Sequence, residues 1–375
     1  MLADLFNNPA LMIMLVGALV GTASSLVGTL LVLRGTSMLS DAIGHSIVFG
    51  IVVVWLLTQQ QSGPVQILGA ALTGVLTVFL TELLVSTRRV KKDAAIGLVF
   101  PVLFSLGVLL LNLYARDVHI DTHTVLLGEI GFVWLDTVSL GDYRVPQSLI
   151  TMGAMTLLNL AFITLFYKEL KLATFDEALA KALGLAPGVL FYALLLLTSG
   201  TAVAAFDAVG AVLFVAFVIV PPSTAYLLTD RLWLIFVLGA LVSIISSVTG
   251  YYLAVAWNVS IGGMMAVMTG VLLTLAFLLG PRYGLFAQWL RRRRQRRLNE
   301  VRTLAVHLYN HEDEPRQAME NVTHALREHL LWDTARARRV VARSCRNRLI
   351  LCHGDVLELT ESGRELAREI LEPTR

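Results

Sequence analysis

Residues 11–33 read LMIMLVGALVGTASSLVGTLLVL, a run of 23 residues without a charged side chain. A helix rises about 1.5 Å per residue, so a run of this length crosses the hydrocarbon core of a bilayer, which is about 30 Å thick. Small residues at helical spacing let neighbouring membrane helices approach closely. Here they are Gly17, Gly21, Ser24, Ser25 and Gly28. The stretch predicts a membrane-spanning helix whose small residues serve packing.

Eight further apolar runs follow, and the sequence therefore predicts an all-α polytopic membrane protein with about nine transmembrane helices. The nine runs are 11–33, 38–57, 65–86, 94–114, 147–167, 188–206, 209–228, 232–255 and 260–280. The pair 188–206 and 209–228 is divided only around Asp207. A bent or re-entrant pair is the alternative there.

Composition separates this apolar part from a charged end. Hydrophobic residues make up 56% of the chain and charged residues 15%, against about 25% charged in an ordinary soluble domain. From Arg291 onward there are eighteen Arg, no Lys and thirteen Asp plus Glu. We therefore expect a transmembrane domain over 1–290, a basic juxtamembrane linker over 291–297 and a cytosolic domain over 298–375. This composition excludes a chain of two or three soluble domains.

The two cysteines, Cys345 and Cys352, both lie in the charged end. They form no recurrent spacing pattern, which argues against a disulfide framework and fits a reducing, cytosolic environment.

Basic residues in the short loops predict the orientation, because cytoplasmic loops carry an excess of Lys and Arg. Arg88, Arg89, Lys91 and Lys92 join spans three and four, three lysines lie between spans five and six, and six arginines follow span nine. All of them fall on one side if the N-terminus is outside and the C-terminus is cytoplasmic. The N-terminus has no basic n-region, so the first span is expected to be retained rather than removed as a signal peptide.

Asp41 and His45 are ionisable residues inside the second span, and such residues are costly in a bilayer and are functional candidates by default. They are four residues apart, which places both on one helical face. A carboxylate oxygen and an imidazole nitrogen on adjacent turns can bind a borderline ion such as Mn²⁺, Fe²⁺ or Zn²⁺. The alternative is an Asp–His hydrogen bond that only holds helices together.

The loop after span four alternates carboxylates and imidazoles at Asp117, His119, Asp121 and His123, with Glu129 following. In an extended segment the four side chains would point to one side. Asp121, His123 and Glu129 are thus secondary metal-ligand candidates. A solvated loop with accidental histidines is the alternative.

Residues 175–184, FDEALAKALG, predict a short amphipathic helix on the cytoplasmic side. Phe175, Leu179 and Leu183 share one face, and Gly184 is a suitable C-terminal stop. An exposed apolar face of this kind suits docking into a groove of a partner protein. A helix lying on the membrane surface is the alternative.

Several ordered motifs together resemble the permease subunits of ABC importers for manganese, zinc and iron. They are 31–45 (LVLRGTSMLSDAIGH), 92–97 (KDAAIG), 121–130 (DTHTVLLGEI), 175–184 and 208–225 (AVGAVLFVAFVIVPPSTA). The likeness covers about residues 10–285. The 121–130 stretch looks more like the manganese/iron branch than the zinc branch.

The resemblance implies a role and a set of partners. Asp41 and His45 would be the metal-binding pair. The coupling helix that seats in the ATPase would comprise Phe175, Asp176, Glu177, Leu179, Ala180, Leu183 and Gly184. The chain would work with an ABC ATPase, an extracytoplasmic metal-binding protein and a second permease chain, identical or different. It would lie in a bacterial inner membrane, carry a divalent metal as its transported substrate and hold no tightly bound cofactor.

The sequence has no Walker-type phosphate loop (G-x-x-x-x-G-K-[ST]). We therefore expect ATP to be bound and hydrolysed by another chain rather than by this one.

The charged end predicts helices over 298–311, 317–331 and 334–348, a hairpin with its turn at Gly354-Asp355, and a closing helix from 361. This order resembles a winged-helix domain. The arginine run 291–297 should bind anionic lipid headgroups. DNA is a second candidate partner of the basic third helix, although a regulatory or assembly contact with the transporter is favoured.

Two other functions compete with ATP-driven import. One is a membrane-anchored winged-helix transcriptional regulator, which would have no use for a coupling helix. The other is a gradient-driven secondary metal carrier, which would need no ATPase.

Overall fold

The structure, a computed structural model, describes residues 8–59, 64–114, 130–140, 143–312, 321–323 and 325–372. The chain divides into two compact units, Met1–Gly284 and Leu285–Arg375. The boundary falls six residues before the one expected from composition, because the arginine run is helical and belongs to the second unit.

Helices make up most of the first unit. They are α1 Pro9–Leu33, α2 Met38–Thr58, α3 Pro64–Ser86, α4 Lys92–Tyr114, α5 Gln147–Leu165, α6 Tyr167–Phe175, α7 Glu177–Ala182, α8 Pro187–Leu228, α9 Leu232–Trp257 and α10 Ile261–Leu279. Before α5 come a short 3₁₀ turn, Ile130–Phe132, and an antiparallel hairpin of β1 Thr137–Leu140 and β2 Tyr143–Pro146.

Within the described ranges, eight helical segments are long and apolar enough to cross a membrane, and α8 supplies two of them, Pro187–Phe206 and Ala208–Leu228. The remaining predicted span corresponds to α3, whose apolar part over Ala71–Ser86 is shorter. Helix ends lie within three residues of the predicted ones, because each apolar run is bounded by polar residues, Gly or Pro. The prediction of a multi-pass helical membrane protein is confirmed.

Helix α8 folds back on itself at Gly210, whose φ of 73° and ψ of 171° are not helical. Side chains from both halves of α8 lie beside the same stretch of α1. In the first half, Thr201 accepts a hydrogen bond from the Asn159 side chain, which also donates to the carbonyl of Ala23 on α1. In the second half, Phe217 lies beside Gly21 on α1. A straight helix would separate positions 201 and 217 by about 24 Å. The chain therefore reverses here, as the bent-pair alternative anticipated, at a glycine rather than at Asp207.

The first helix, α1, is the centre of the first unit, and its small residues pack against α8 and α9. Ser24 and Ser25 are buried, and a Cβ added to Gly21 would lie 2.7 Å from the Cβ of Ser243 on α9. The Asn159 amide on α5 donates to the carbonyl of Ala23 at 3.2 Å and to Thr201 Oγ1 at 2.9 Å, which joins α5, α1 and α8. The packing role assigned to this stripe is confirmed.

Replacing Gly28 by alanine is expected to destabilise the first unit by about 1–3 kcal/mol or more, because the added methyl group would overlap the backbone carbonyl of Val218. Thermal unfolding of the detergent-solubilised protein measures the effect. Gly153→Ala on α5 is the matched control, since no described atom other than its chain neighbours and the local backbone of its own helix lies within 4 Å of the position that its Cβ would occupy. Equal unfolding temperatures for the two variants would contradict the close packing.

The described residues of the second unit form four helices and one antiparallel hairpin. They are α11 Leu285–Asn310, α12 Leu326–His329, α13 Thr334–Arg346, β3 Ile350–His353, β4 Val356–Leu359 and α14 Glu361–Leu371. Its own hydrophobic core includes Leu304, Leu308, Leu326, Trp332, Val340 and Leu357. Val322 forms an additional antiparallel bridge to Val356, beside the hairpin.

Three expectations for this end are corrected. The segment 291–297 is not a linker, because it lies inside α11. The second helix was predicted over 317–331, but among the described residues it covers only Leu326–His329. Cys345 and Cys352, expected to be free thiols, form a disulfide between the end of α13 and β3. The third helix, the hairpin and the closing helix lie where the sequence placed them, to within two residues at each end.

Candidate metal and coupling sites

The first turn of α2 carries Asp41, and His45 lies one turn further on the same face. The distance from His45 Nε2 to Asp41 Oδ1 is 3.5 Å. Two ligands of one ion that form bonds of about 2.1 Å lie roughly 3.0–3.4 Å apart, depending on the coordination geometry. The His45 side chain is 36% exposed and the Asp41 side chain is 40% exposed, so the pair faces the surface of this chain rather than its core. The pair can therefore bind a cation with little side-chain movement.

Aromatic rings fix the orientation of the His45 imidazole. The ring stacks on Phe100 with centroids 5.6 Å apart, and it meets the edge of Phe104 at 6.3 Å. Both phenylalanines come from α4, which approaches α2 so closely that a Cβ on Gly107 would lie 2.8 Å from the backbone nitrogen of Phe49. The sequence offered no specific signal for these rings, because the approach of α4 to α2 is a tertiary feature.

A hydrogen bond between two hydroxyl groups joins α2 to α3. Thr77 on α3 lies 2.6 Å from Ser46, hydroxyl to hydroxyl, and both side chains are buried. Because Ser46 follows His45 directly, this bond fixes the rotation of α2 about its axis at the candidate site.

The remaining metal-ligand candidates lie outside the described residues. These are Asp117, His119, Asp121, His123 and Glu129, all within 115–129.

The predicted helix over 175–184 is shorter in the structure: Phe175 is the last residue of α6, and α7 covers only Glu177–Ala182. The two helices meet at Asp176. The carboxylate of Asp176 accepts a hydrogen bond from the backbone N–H of Leu179 at 2.9 Å and so begins α7. Gly184 ends it with φ +80°, and the N–H groups of Gly184 and Leu185 donate to the carbonyls of Lys181 and Ala180. This pair of bonds is the Schellman arrangement, which needs a residue with positive φ at that position.

The two faces of α7 differ in character. Phe175, Leu179 and Leu183 are 61%, 45% and 64% exposed, whereas Ala180 is fully buried against the first unit. On the polar side Lys181 forms an ion pair with Glu177 at 2.7 Å, and the hydrogen bond from Lys181 lowers the pKa of the Glu177 carboxyl. The apolar face that the sequence predicted is therefore presented away from the rest of this chain.

A polar cavity of about 480 Å³ lies beside this segment, and charged side chains from the ends of several helices line it. The guanidinium of Arg34 sits 4.4 Å over the ring of Phe191, and the hydroxyl of Tyr192 donates to Glu82. Lys92 and Glu177 also border the cavity. The sequence analysis treated Lys92 as a loop residue and Glu177 as part of the coupling helix, and it assigned no role to Glu82. The position of Arg34, Glu82 and Lys92 near the ends of spans one, three and four was the available signal.

Comparisons with known proteins agree with this architecture. Residues 8–280 match the ABC 3 transport family. The zinc transport system membrane protein TroD of Treponema pallidum is 44% identical over 360 residues, covering 96% of this chain and 98% of that protein. The manganese transport system membrane protein MntD of Bacillus subtilis is 46% identical and covers 73% of this chain and 93% of its own.

A solved structure of PsaBC from Streptococcus pneumoniae in complex with Fab is 25% identical. It aligns with a TM-score of 0.62 and covers 76% of this chain and 98% of that one. Sequence and fold thus agree over the membrane unit, and the match to TroD extends into the second unit as well. The chain is a multi-pass membrane protein that belongs to the ABC 3 transport family.

Proposed function

We propose that this chain is the membrane-spanning subunit of an ATP-driven importer of divalent transition metal ions. The observation that carries the proposal is the Asp41–His45 pair, one carboxylate and one imidazole 3.5 Å apart on a membrane-spanning helix. Mixed oxygen and nitrogen ligands suit Mn²⁺, Fe²⁺ and Zn²⁺. The names of the relatives include both zinc and manganese systems, which supports this class of ion rather than one member.

Two protein ligands do not complete the coordination of such an ion, which takes about four to six. Both side chains are more than one third exposed, so further ligands can approach from outside this chain. A second permease chain, identical or different, is the proposed neighbour on this face. An extracytoplasmic metal-binding protein would deliver the ion.

The proposed ATPase contact is the apolar face of Phe175, Leu179 and Leu183. These three side chains are exposed. The helix between them, α7, is capped by Asp176 at its start and by the backbone bonds of Gly184 and Leu185 at its end. A capped helix with an apolar face suits a groove in a soluble partner.

Transport in proteoliposomes tests the function. Vesicles that contain this chain with its second permease chain and its ATPase should accumulate manganese or zinc when ATP is enclosed inside and the metal-loaded binding protein is added outside, and an ion gradient alone should not drive uptake. Uptake by the chain without an ATPase, driven by a proton gradient, would identify a secondary carrier instead.

The proposed orientation has the N-terminus outside and the C-terminus cytoplasmic. It follows from the basic residues between α3 and α4 and between α5 and α8, which all lie on the cytoplasmic side in this arrangement.

Single cysteines introduced into a Cys345→Ser/Cys352→Ser background should label according to this orientation. Gln59→Cys, at the exposed end of α2, should react with an impermeant thiol reagent added to intact cells. Val90→Cys, in the turn before α4, should react only after the cells are permeabilised. The reverse pattern would overturn the orientation.

For the second unit we propose a winged-helix-like module with a regulatory or assembly role. Its described order of helix, bridging residue, two helices, hairpin and helix supports the fold class. Two of the arginines on the basic helix, Arg336 and Arg343, lie 2.9 Å and 3.8 Å from the Glu300 carboxylate, which reduces the charge available for phosphate contacts. Salt-sensitive, sequence-selective DNA binding by the full-length protein would favour gene control instead.

A further inference from the structure

Three histidine side chains meet in the second unit, away from the residues used above. His307 lies in the last turn of α11, His311 just beyond its end, and His329 at the end of α12. Each offers one ring nitrogen, and these three nitrogens all lie within 4.8 Å of one another. The ring centroids are 4.8, 5.4 and 6.0 Å apart.

The fold places these rings together by packing apolar neighbours. Leu304 and Leu308 of α11 and Leu326 of α12 are fully buried in one core, which brings the two helices side by side. His307 and His311 are four residues apart and so share a side of the chain. His307 is 8% exposed and His329 is exposed, so the cluster has a buried floor and an opening to solvent.

Imidazole nitrogens are the ligands that Zn²⁺ and similar ions prefer when no thiolate is at hand. A tetrahedral Zn²⁺ with bonds of about 2.0–2.1 Å holds its nitrogens roughly 3.4 Å apart. The three nitrogens lie no more than 4.8 Å apart, so side-chain rotations that move them by about an ångström bring them to this spacing. Three imidazoles leave a fourth position for water.

The carboxylate of Glu312, which follows His311, accepts a hydrogen bond from Arg364 at 2.7 Å. Among the described residues, the group of potential ligands contains the three imidazoles and no carboxylate. The cluster is therefore an all-nitrogen site, unlike the mixed Asp41–His45 pair. All-imidazole sites favour zinc over manganese, which prefers oxygen ligands.

We infer that His307, His311 and His329 form a binding site for a Zn²⁺-like transition metal ion in the second unit, distinct from the transport pair. The bound ion would join α11 to α12 across residues 313–320 and stabilise this unit. The inference goes beyond the proposed transport function and does not depend on it, because the transport proposal uses none of these three histidines.

Zinc binding to the full-length, detergent-solubilised protein tests the site. The parent protein carries Asp41→Ala and His45→Ala, so that the transport pair does not contribute, and is stripped of metal with a chelator. Adding His329→Ala or His311→Ala should weaken its zinc affinity at least about 100-fold, since loss of even an outer partner of a ligand costs about 10- to 100-fold. Competition with a coloured zinc chelator measures the affinity.

His353→Ala is the matched control, because it removes another exposed imidazole of the same unit, on β3. Its zinc affinity should equal that of the parent within about twofold. Zinc should also raise the unfolding temperature of the parent but not of the His329→Ala protein. His329→Gln provides a second variant if the alanine protein unfolds. Unchanged zinc affinity in both the His311 and His329 variants would show that the three rings only pack together, and would overturn the inference.

Discussion

Replacing Asp41 or His45 by alanine is expected to abolish metal uptake while leaving insertion into the membrane intact. Each variant removes one of the two ligands that this chain contributes, and a single remaining ligand binds a divalent ion weakly. Because the side chains are partly exposed, their truncation leaves no buried charge without a partner and no large cavity in the core. We expect uptake to fall at least about 100-fold.

Cellular manganese, iron and zinc contents, measured at matched protein levels, report the effect. Leu57→Ala is the control on the same helix: it truncates a side chain that is 80% exposed and removes no proposed ligand, so uptake should persist. Normal accumulation of all three metals by the Asp41→Ala or His45→Ala protein would refute the assignment of the transport pair.

Leu179→Asp is expected to weaken binding of the ATPase and to uncouple ATP hydrolysis from metal transport. The side chain is 45% exposed in this chain, so the change should not unfold the first unit. In a complex it would place an unpaired carboxylate inside an apolar groove, a cost of about 3–5 kcal/mol, which corresponds to a loss of affinity of roughly 100-fold or more. Co-purification of the ATPase with the permease measures the contact, and metal-stimulated ATP hydrolysis measures the coupling.

Leu179→Met is the control for this experiment, because it preserves apolar volume at the same position. It should retain the ATPase at the level of the unchanged protein. Recovery of the Leu179→Asp protein with a full complement of ATPase would show that α7 does not form the dock.

Local sequence signals predicted the parts of the fold that depend on local physics. The ends of the spans follow from polar residues at the ends of apolar runs, and the end of α7 follows from Gly184, which adopts positive φ at +80°. The reversal within α8 was anticipated near Asp207 but occurs at Gly210, the residue able to adopt that backbone conformation at little cost.

Features that depend on tertiary contacts could not be predicted in this way. The rings of Phe100 and Phe104 reach His45 only because α4 packs on α2. The cluster of His307, His311 and His329 combines spacings of four and eighteen residues, and no period links them. The disulfide between Cys345 and Cys352 likewise depends on how β3 returns to the end of α13.

The position of α11 has a consequence for the history of the protein. Its arginine run and its core residues Leu304 and Leu308 belong to one uninterrupted helix, and all of that helix lies in the second unit. The match to the transport family ends at residue 280, just before it, at a junction of only a few residues. An extension that brings its own first helix and its own core can be gained or lost in a single gene fusion or deletion. Permeases with and without the module can therefore share one ancestry.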